Sequence, residues 1–256
     1  MNARTLMHLL AAASFTCAAS AQGASAWTGW YLGFNGGYGT GKSNVTTAAV
    51  YDGFGYFAAS SVDSINATGS GSVKPKGGLG GLTFGYNTQV GGTVYGFEFD
   101  ADAAGLKGDR SETVVYPGFA PATYTLSQTT KATAILTLRG RIGYVDGDNL
   151  WFGTLGLTSA SIKIEDSFSD TYASAAEGAS KAKNRLGWIL GGGYERALPN
   201  RWTFKAEVLY ADFGKVSVGG GTFTYSVPPQ PYPNTSINHS ADLKAGLVRI
   251  GFNYRF

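Results

Sequence analysis

Charged residues are scarce in this sequence, and cysteine is almost absent. Asp, Glu, Lys and Arg make up 14% of the 256 residues, and the formal net charge is +3. This near balance argues against a nucleic acid or another highly charged molecule as the partner. The single cysteine, Cys17, lies close to the N-terminus. The rest of the chain can therefore form neither a disulfide nor a thiolate site.

Long apolar runs are missing as well. No window approaches the roughly 18 consecutive apolar residues that a membrane-spanning helix needs, and few segments show a helical spacing of apolar residues. Glycine is abundant instead, at 38 residues, and Trp, Tyr and Phe together reach 14%. This composition favours β structure over helix.

The first 26 residues read as a secretory signal peptide, with a positive charge, a short apolar stretch and then small residues. Small-x-small cleavage patterns end at Ala21 and at Ala26, and the sequence leaves the choice between them open. A lipid anchor on Cys17 is a weaker alternative, because the residues before it fit a lipid-attachment site poorly. We expect residues 1–26 to be a signal peptide and residues 27–256 to form one domain of the exported chain.

Apolar residues alternate with small or polar residues in segments of about ten. In the last segment the even positions from Val248 to Phe256 are apolar, whereas Arg249 and Arg255 occupy odd positions. Successive side chains of a strand point to opposite faces, so one face is apolar and the other carries charge. Seven further segments have the same period, near residues 30–39, 81–87, 95–102, 136–144, 150–163, 188–195 and 202–210. The pattern predicts eight strands.

The connections between these strands alternate in length. Short links lie near 88–92, 146–149 and 198–201, and long links near 43–75, 106–131, 164–184 and 215–242. Each predicted strand has an aromatic residue near its short-link end, as at a membrane–water boundary; these are Trp30, Tyr86, Tyr95, Tyr144, Trp151, Tyr194, Trp202 and Phe256. Lipid leaves no partner for an open sheet edge. We therefore predict an all-β fold, an eight-stranded antiparallel up-and-down transmembrane β-barrel in the bacterial outer membrane, with both termini in the periplasm.

Ten charged residues fall on the predicted inward face. An eight-stranded barrel is just wide enough for its own side chains to fill, and buried charges persist only when they are paired. We predict an interior charge network of five carboxylates and five cations, formed by Glu98, Asp100, Asp102, Glu195, Glu207, Arg139, Arg141, Lys205, Arg249 and Arg255. A metal cluster or a catalytic carboxylate pair at Glu98, Asp100 and Asp102 is the weaker alternative, because His239 is the only histidine after the signal peptide.

Four strand sequences, at 27–39, 81–87, 205–214 and 249–256, resemble the small alpha-proteobacterial outer-membrane β-barrel proteins. These are related in fold to the OmpA transmembrane domain and are often labelled "porin family". The resemblance implies that Phe256 is part of the signal read by the barrel-insertion machinery. Members are credited with envelope integrity, haem binding and host contact, so the resemblance implies no single activity.

One motif points elsewhere. Residues 36–43 match the phosphate-binding pattern G-x-x-x-x-G-K-[ST]. Such a loop needs a helix directly after it, and the Thr- and Val-rich residues 44–50 are not a helix start. We interpret the motif as a glycine-rich strand that runs into a loop.

Aromatic residues also cluster in three long links, where they either contact a partner or fold on one another; they are Tyr51, Phe54, Tyr56, Phe57, Tyr116, Phe119, Tyr124, Phe223, Tyr225 and, beside the prolines of 227–233, Tyr232.

No Ser-His-Asp or Cys-His arrangement is present, so we expect no enzyme and no cofactor. We expect a structural and surface-interaction protein with four long extracellular loops. Its expected partners are outer-membrane lipid and lipopolysaccharide, the insertion machinery, and a host or surface ligand.

Two alternatives remain open from the sequence. One is a pore for small solutes, with a water path along the inward glycines Gly33, Gly37, Gly81, Gly85, Gly191, Gly193 and Gly251. The other is capture of haem by the loops, with His239 and the loop tyrosines as axial ligands.

Overall fold

The computed structural model describes residues 27–50, 56–218, 223–226, 229–232 and 235–256. The predicted signal peptide lies outside the described residues, as do Tyr51 and Phe54 and the side chains of Phe223, Tyr225 and Tyr232. In the described part of the chain, no helix is long and apolar enough to cross a membrane.

Strands dominate the structure. In chain order the elements are β1 (Gly29–Ala49), α1 (Ala59–Gly69), β2 (Gly71–Val73), β3 (Lys76–Val90), β4 (Thr93–Val115), β5 (Thr123–Asp146), β6 (Asn149–Asp170), β7 (Ala176–Ala197), a 3-10 turn (Pro199–Arg201), β8 (Trp202–Val218), β9 (Phe223–Ser226), β10 (Pro229–Tyr232) and β11 (Ile237–Arg255).

Eight long strands form a closed antiparallel ring. Neighbouring strands pair in the order β1, β3, β4, β5, β6, β7, β8 and β11, and β11 returns to pair with β1. Closure pairs the backbone N–H and C=O groups that an open sheet would leave at its edges. The predicted eight-stranded antiparallel barrel is confirmed.

Three short turns lie at one end of the barrel, which we call the turn end. They connect β3 to β4, β5 to β6, and β7 to β8, where the sequence predicts short links. Gly91 and Gly147 have φ of 59° and 57°, the left-handed conformation that tight hairpin turns require and that glycine adopts without strain. The opposite end, covered by α1, is the cap end.

Two of the predicted long links, 106–131 and 164–184, are mostly strand, which corrects the sequence-based boundaries. Residues 116–122 alone join β4 to β5, and residues 171–175 alone join β6 to β7. In these links the strands extend beyond the predicted ends. Hydroxyl groups pair across the extended β4 and β5, with Ser111 Oγ 2.9 Å from Ser127 Oγ and Thr113 Oγ1 2.9 Å from Thr125 Oγ1. The outward face of the extended strands is polar, so they lack the apolar alternation of a membrane strand although their backbones remain paired.

The predicted facing of β11 is confirmed. Val248, Ile250, Phe252, Tyr254 and Phe256 are exposed on the outside, and Arg249, Gly251 and Asn253 are buried inside. Aromatic rings meet on the outer surface near the turn end: Trp30 lies 5.0 Å from Tyr86, Trp151 lies 4.8 Å from Tyr194, and Trp202 lies 5.4 Å from Tyr254. The outer wall therefore has an apolar band that begins at an aromatic girdle.

The interior is filled in layers from the turn end to the cap end. Trp27, Val94, Leu150 and Phe152 close the turn end. A layer of charged side chains follows, and above it lies the apolar layer, which includes Leu79, Ile135, Ile189, Leu209, Phe213, Leu243 and Leu247. The cap packs Ile65 of α1 against Phe57, Tyr116, Tyr124, Leu126 and Phe168.

An outward charge in the apolar band tests this facing. Ile250 is 55% exposed and lies six residues from the end of the chain. We expect Ile250→Arg to lower the free energy of unfolding by about 2–4 kcal/mol, because it places a charge on the lipid face near its middle. Urea unfolding of the refolded barrel in lipid vesicles measures this change.

The matched control is Thr46→Arg, on the polar outer face of β1 near the cap end, which we expect to leave stability within about 0.5 kcal/mol. Equal effects of the two substitutions would contradict the assigned apolar band.

Candidate functional site

The charge layer draws its members from five strands. β4 supplies Glu98, Asp100 and Asp102, β5 supplies Arg139 and Arg141, β7 supplies Glu195, β8 supplies Lys205 and Glu207, and β11 supplies Arg249. Three opposite-charge pairs are direct cross-strand partners, Glu98 with Arg139, Glu195 with Lys205, and Glu207 with Arg249. Opposite charges on directly paired residues of neighbouring strands stabilise a sheet. The register of the strands therefore brings these charges together.

Two arginines connect the carboxylates across the barrel. Arg139 contacts Glu98 Oε1, and its terminal nitrogens lie 2.7 Å from Asp100 Oδ2 and 2.9 Å from Glu207 Oε2. Arg249 lies 2.5 Å from Asp102 Oδ2, 3.1 Å from Asp100 Oδ2 and 2.6 Å from Glu207 Oε1. Asp100 and Glu207 are therefore each shared by both guanidinium groups.

Lys205 and Arg141 complete the layer toward the turn end. Lys205 Nζ lies 2.8 Å from Glu98 Oε2, and Arg141 Nη2 lies 2.7 Å from Glu195 Oε2. The guanidinium of Arg141 also covers the Phe152 ring, at 4.1 Å from its centre, which is a favourable cation–π position.

Neutral groups that the sequence reasoning missed donate hydrogen bonds to three of the five carboxylates. Thr137 and Thr83 donate to Asp100 at 2.6 and 2.8 Å, and Tyr31 donates to Glu98 at 2.9 Å. Thr203 and Asn253 donate to Glu195 at 2.5 and 3.0 Å. Their odd-numbered positions within alternating strands mark them as inward. They satisfy lone pairs that the four cations leave open, as buried carboxylates require.

Arg255 departs from the sequence prediction. It is half-buried at the turn end, where its guanidinium lies 5.3 Å from the centre of the Trp27 ring, and among the described residues it has no ion pair. Alternation assigned it to the inward face, but its height at the end of β11 keeps it away from the carboxylates. The layer thus holds five carboxylates and four cations rather than five of each.

The geometry favours neither a metal site nor a nucleotide-binding site. Within the described residues, no group of three or more His, Cys, Asp or Glu side chains could hold a metal ion. Residues 36–43, which match the phosphate-binding pattern, lie inside β1; all of them pair with β11, and on the other side residues 36–40 pair with β3 and Ser43 pairs with β2. Their backbone N–H groups are committed to the sheet and cannot cradle a phosphate.

Inward glycines make room for large side chains instead of leaving a water path. A Cβ on Gly85 would collide with the Tyr31 ring, and one on Gly193 would meet the Phe152 ring and Glu207. A Cβ on Gly191 would meet Leu209 in the same way. The space that these glycines vacate is occupied by neighbouring residues.

Among the loop aromatics whose side chains the structure describes, the cap buries three. Phe57, Tyr116 and Tyr124 are buried, whereas Phe119 and Tyr172 are 39% and 60% exposed with their rings 5.3 Å apart. Asp170 Oδ2 accepts hydrogen bonds from Tyr56 at 2.6 Å and from Tyr116 at 2.9 Å. A cavity of about 110 Å³ remains among Tyr56, Phe57, Ala58, Ser61, Tyr116, Phe119 and Tyr172.

A second buried polar group lies between the apolar layer and the cap. His239 is 6% exposed, its Nδ1 lies 2.9 Å from Thr47 Oγ1, and it lies 4.0 Å from Asp166 Oδ1. This burial gives a haem iron no access to His239. Burial raises the pKa of Asp166 to about 7 and lowers the pKa of His239 to about 4, because it disfavours the charged form of each.

Comparison with known proteins places this barrel in a family. The family model described as "Outer membrane protein beta-barrel domain" matches residues 9–256. The chain belongs to this family. It is accordingly an outer-membrane β-barrel protein, as the alternation and the aromatic girdle predicted.

Relatives in the outer membrane β-barrel family come from alpha-proteobacteria. The 31 kDa outer-membrane immunogenic protein of Brucella melitensis biotype 1 is 30% identical over 90% of this chain and 84% of its own length. The 22 kDa outer membrane protein of Rhizobium leguminosarum bv. viciae is 29% identical over 74% of this chain and 66% of its own length. Among solved structures, OprG from Pseudomonas aeruginosa is 13% identical, with 90% of this chain and 98% of that chain covered and a TM-score of 0.43.

Removing one cation from the charge layer tests its structural role. We expect Arg249→Met to lower the free energy of unfolding by about 3–5 kcal/mol, because Asp100, Asp102 and Glu207 would each lose a buried partner. Urea unfolding in detergent micelles measures the loss. Arg255→Met removes the same charge from a half-buried site without an ion pair, and it should cost about 1 kcal/mol or less. If both variants lost the same stability, the charge layer would not be the stabilising element.

Asp166 gives a pH-dependent prediction outside the apolar band. The unfolded carboxyl ionises near pH 4, whereas the folded one stays protonated up to about pH 7. Stability is therefore lost as the pH rises from about 4 to 7. We expect Asp166→Asn to stabilise the barrel by about 1–3 kcal/mol at pH 8 and to have little effect near pH 4.

Urea unfolding at pH 4, 6 and 8 checks this dependence. The control is Glu165→Gln, on the outer face beside Lys131 and Lys163, which should produce no stabilisation that grows with pH. A pH-independent effect of Asp166→Asn would contradict the shifted pKa.

Proposed function

We propose that this protein is a closed, non-catalytic outer-membrane scaffold that presents its cap end to the exterior. In this orientation the turn end and both termini face the periplasm, which agrees with short periplasmic turns and longer outer segments in barrels of this kind. The observation that carries the proposal is the continuous filling of the interior by the turn-end residues, the charge layer, the apolar layer and the cap.

Two features of the interior argue for closure. The nine charged side chains of the charge layer are at most 3% exposed, so there is little water around them for an ion to use. The apolar layer directly above them, with Leu209, Phe213 and Leu247 fully buried, adds a second barrier because an ion crossing it would lose its hydration.

The cap end is the surface that remains for contact with other molecules. Phe119 and Tyr172 expose their rings there, and exposed aromatic groups are common at binding surfaces. Relatives named outer-membrane immunogenic proteins support a surface-exposed role without catalysis. We infer a surface-interaction function for this end and no enzymatic activity.

One aromatic residue at the turn end fits a role in assembly. Phe256 exposes its ring there, and its N–H donates to Trp30 O at 3.0 Å. An exposed ring at the rim of the barrel is available for contact with the insertion machinery. We propose that Phe256 contributes to this recognition.

Bilayer conductance tests the closed scaffold against the porin alternative. We expect the refolded protein, with folding verified by a heat-dependent gel shift, to show no reproducible steps above those of protein-free micelles. The matched control is a fourfold variant. Glu207→Ala and Arg249→Ala remove one negative and one positive side chain from the charge layer, and Leu209→Ala and Leu247→Ala remove two side chains from the apolar layer.

This control should conduct if it folds, because it opens the charge layer and the apolar layer together. Regular, ion-selective steps from the unaltered protein would overturn the closed scaffold and favour the porin. If the unaltered protein shows no conductance and the variant conducts, the result would support a closed barrel interior.

A further inference from the structure

Six lysines form a continuous row around the outer wall. Lys76 and Lys107 are direct cross-strand partners, as are Lys107 and Lys131, and Lys131 and Lys163. On the other side Lys42 pairs with Lys244, and Lys76 pairs with Thr40, two residues before Lys42. The row Lys244–Lys42–Lys76–Lys107–Lys131–Lys163 thus crosses six adjacent strands, and we call it the lysine belt.

The belt lies at the upper boundary of the apolar band. Twelve residues separate Trp30 from Lys42, Tyr95 from Lys107, and Trp151 from Lys163. At about 3.3 Å per residue and a strand tilt of about 40°, twelve residues rise by roughly 30 Å. This equals the approximate thickness of the hydrocarbon core of a bilayer. With the girdle at the inner boundary, the lysines lie at the headgroups of the outer leaflet.

Cations outnumber anions at this height. β8 extends the positive surface with Lys215, which pairs with the outward Asp242, so that seven outward strand residues in this zone are basic. Lys181, Lys183 and Arg185 of β7 pair with the buried residues Ile164, Ile162 and Ala160, so they lie on the inner face and are not part of this surface. The outward carboxylates there are Asp109, Glu165, Asp212 and Asp242. Four carboxylates against seven cations leave an excess of three positive charges.

Existing ion pairs neutralise only part of the belt. Lys107 lies 3.1 Å from Asp109, Lys131 and Lys163 share Glu165 at 2.6 Å, and Lys244 lies 3.5 Å from Asp212. Among the described residues, Lys42 and Lys76 have no ion pair. These two lysines are exposed, so they are available to an external anion.

An uncompensated row of this kind needs counter-anions. Like charges directly opposite each other on neighbouring strands destabilise a sheet, and here the same opposition recurs between four pairs of strands. We propose that the lysine belt binds the phosphate groups of the outer-leaflet glycolipid, lipopolysaccharide. Ammonium groups bind phosphates as flexible point charges, and the lysine stems can lie along the apolar wall while the charged ends reach the headgroups.

The proposal rests on the orientation given under Proposed function but not on closure of the barrel, so a conducting barrel would leave it intact. Calorimetric titration of the refolded protein in nonionic micelles tests it, with diphosphoryl lipid A and fully dephosphorylated lipid A as the probes. The variant is Lys42→Gln with Lys76→Gln. The control, Arg196→Gln with Arg201→Gln, removes two exposed charges at the turn end.

We expect saturable binding of diphosphoryl lipid A and a loss of affinity of about tenfold or more in the Lys42 and Lys76 variant. The turn-end control should stay within about twofold of the unaltered protein. Raising NaCl from 50 to 300 mM should weaken binding to the unaltered protein more than to the lysine variant.

Three results would overturn the proposal. The first is equal affinity for dephosphorylated lipid A, which would mean that the acyl chains alone bind. The second is equal loss in the lysine variant and the control, which would place no specificity in the belt. The third is displacement of the lipid by 10 mM inorganic phosphate, which would indicate a site for free anions rather than for a lipid.

Discussion

The width of an eight-stranded ring constrains everything inside it. Such a ring encloses just enough space for its own side chains, so each inward polar group must find its partner on a neighbouring or facing strand. Arg139 and Arg249 meet this requirement because each guanidinium reaches carboxylates on two other strands. The threonines, the tyrosine and the asparagine of the charge layer donate further hydrogen bonds to Glu98, Asp100 and Glu195. The same contacts that satisfy the charges occupy the lumen, so pairing and closure have one cause.

Alternation in the sequence was sufficient to predict the ring and the facing of its strands, and the structure brings nine of the ten predicted charged residues into one layer. It failed for Arg255, because period two identifies the face on which a side chain lies but not its height in the barrel. It also failed for the length of the strands beyond the apolar band. There, the outward face carries serine, threonine and charged residues instead of apolar ones, and a paired strand such as residues 106–115 has the composition of a loop. Asp166, buried near His239, lay inside a predicted loop for the same reason.

The cap could not be predicted from the sequence because it depends on contacts between distant segments. Helix α1 has little apolar surface, and Ile65 is its one large side chain in the cap core. Its position is fixed by polar contacts as well: Asn66 Oδ1 accepts from Ala49 N at 2.7 Å, and Gly69 O accepts from Thr47 Oγ1 at 2.7 Å and from Gln128 at 2.8 Å. These partners lie on β1 and β5, up to about 60 residues away. A segment with a weak intrinsic preference for helix is thus held by the barrel that it covers.

Net charge is a poor guide to the local charge of this chain's surface, because the barrel separates its charges in space. Five of the 17 acidic residues lie in the charge layer, where four cations cancel most of their field, and Asp166 and Glu177 are buried above them. The basic residues are distributed differently, with seven of the 20 in outward strand positions near one boundary of the apolar band. A chain with a formal charge of +3 therefore has a locally basic row of lysines on its outer wall. An argument from composition against highly charged partners assumes that charge is spread evenly over the surface. A membrane protein has layered surroundings, and the surface charge of this chain differs from one layer to the next.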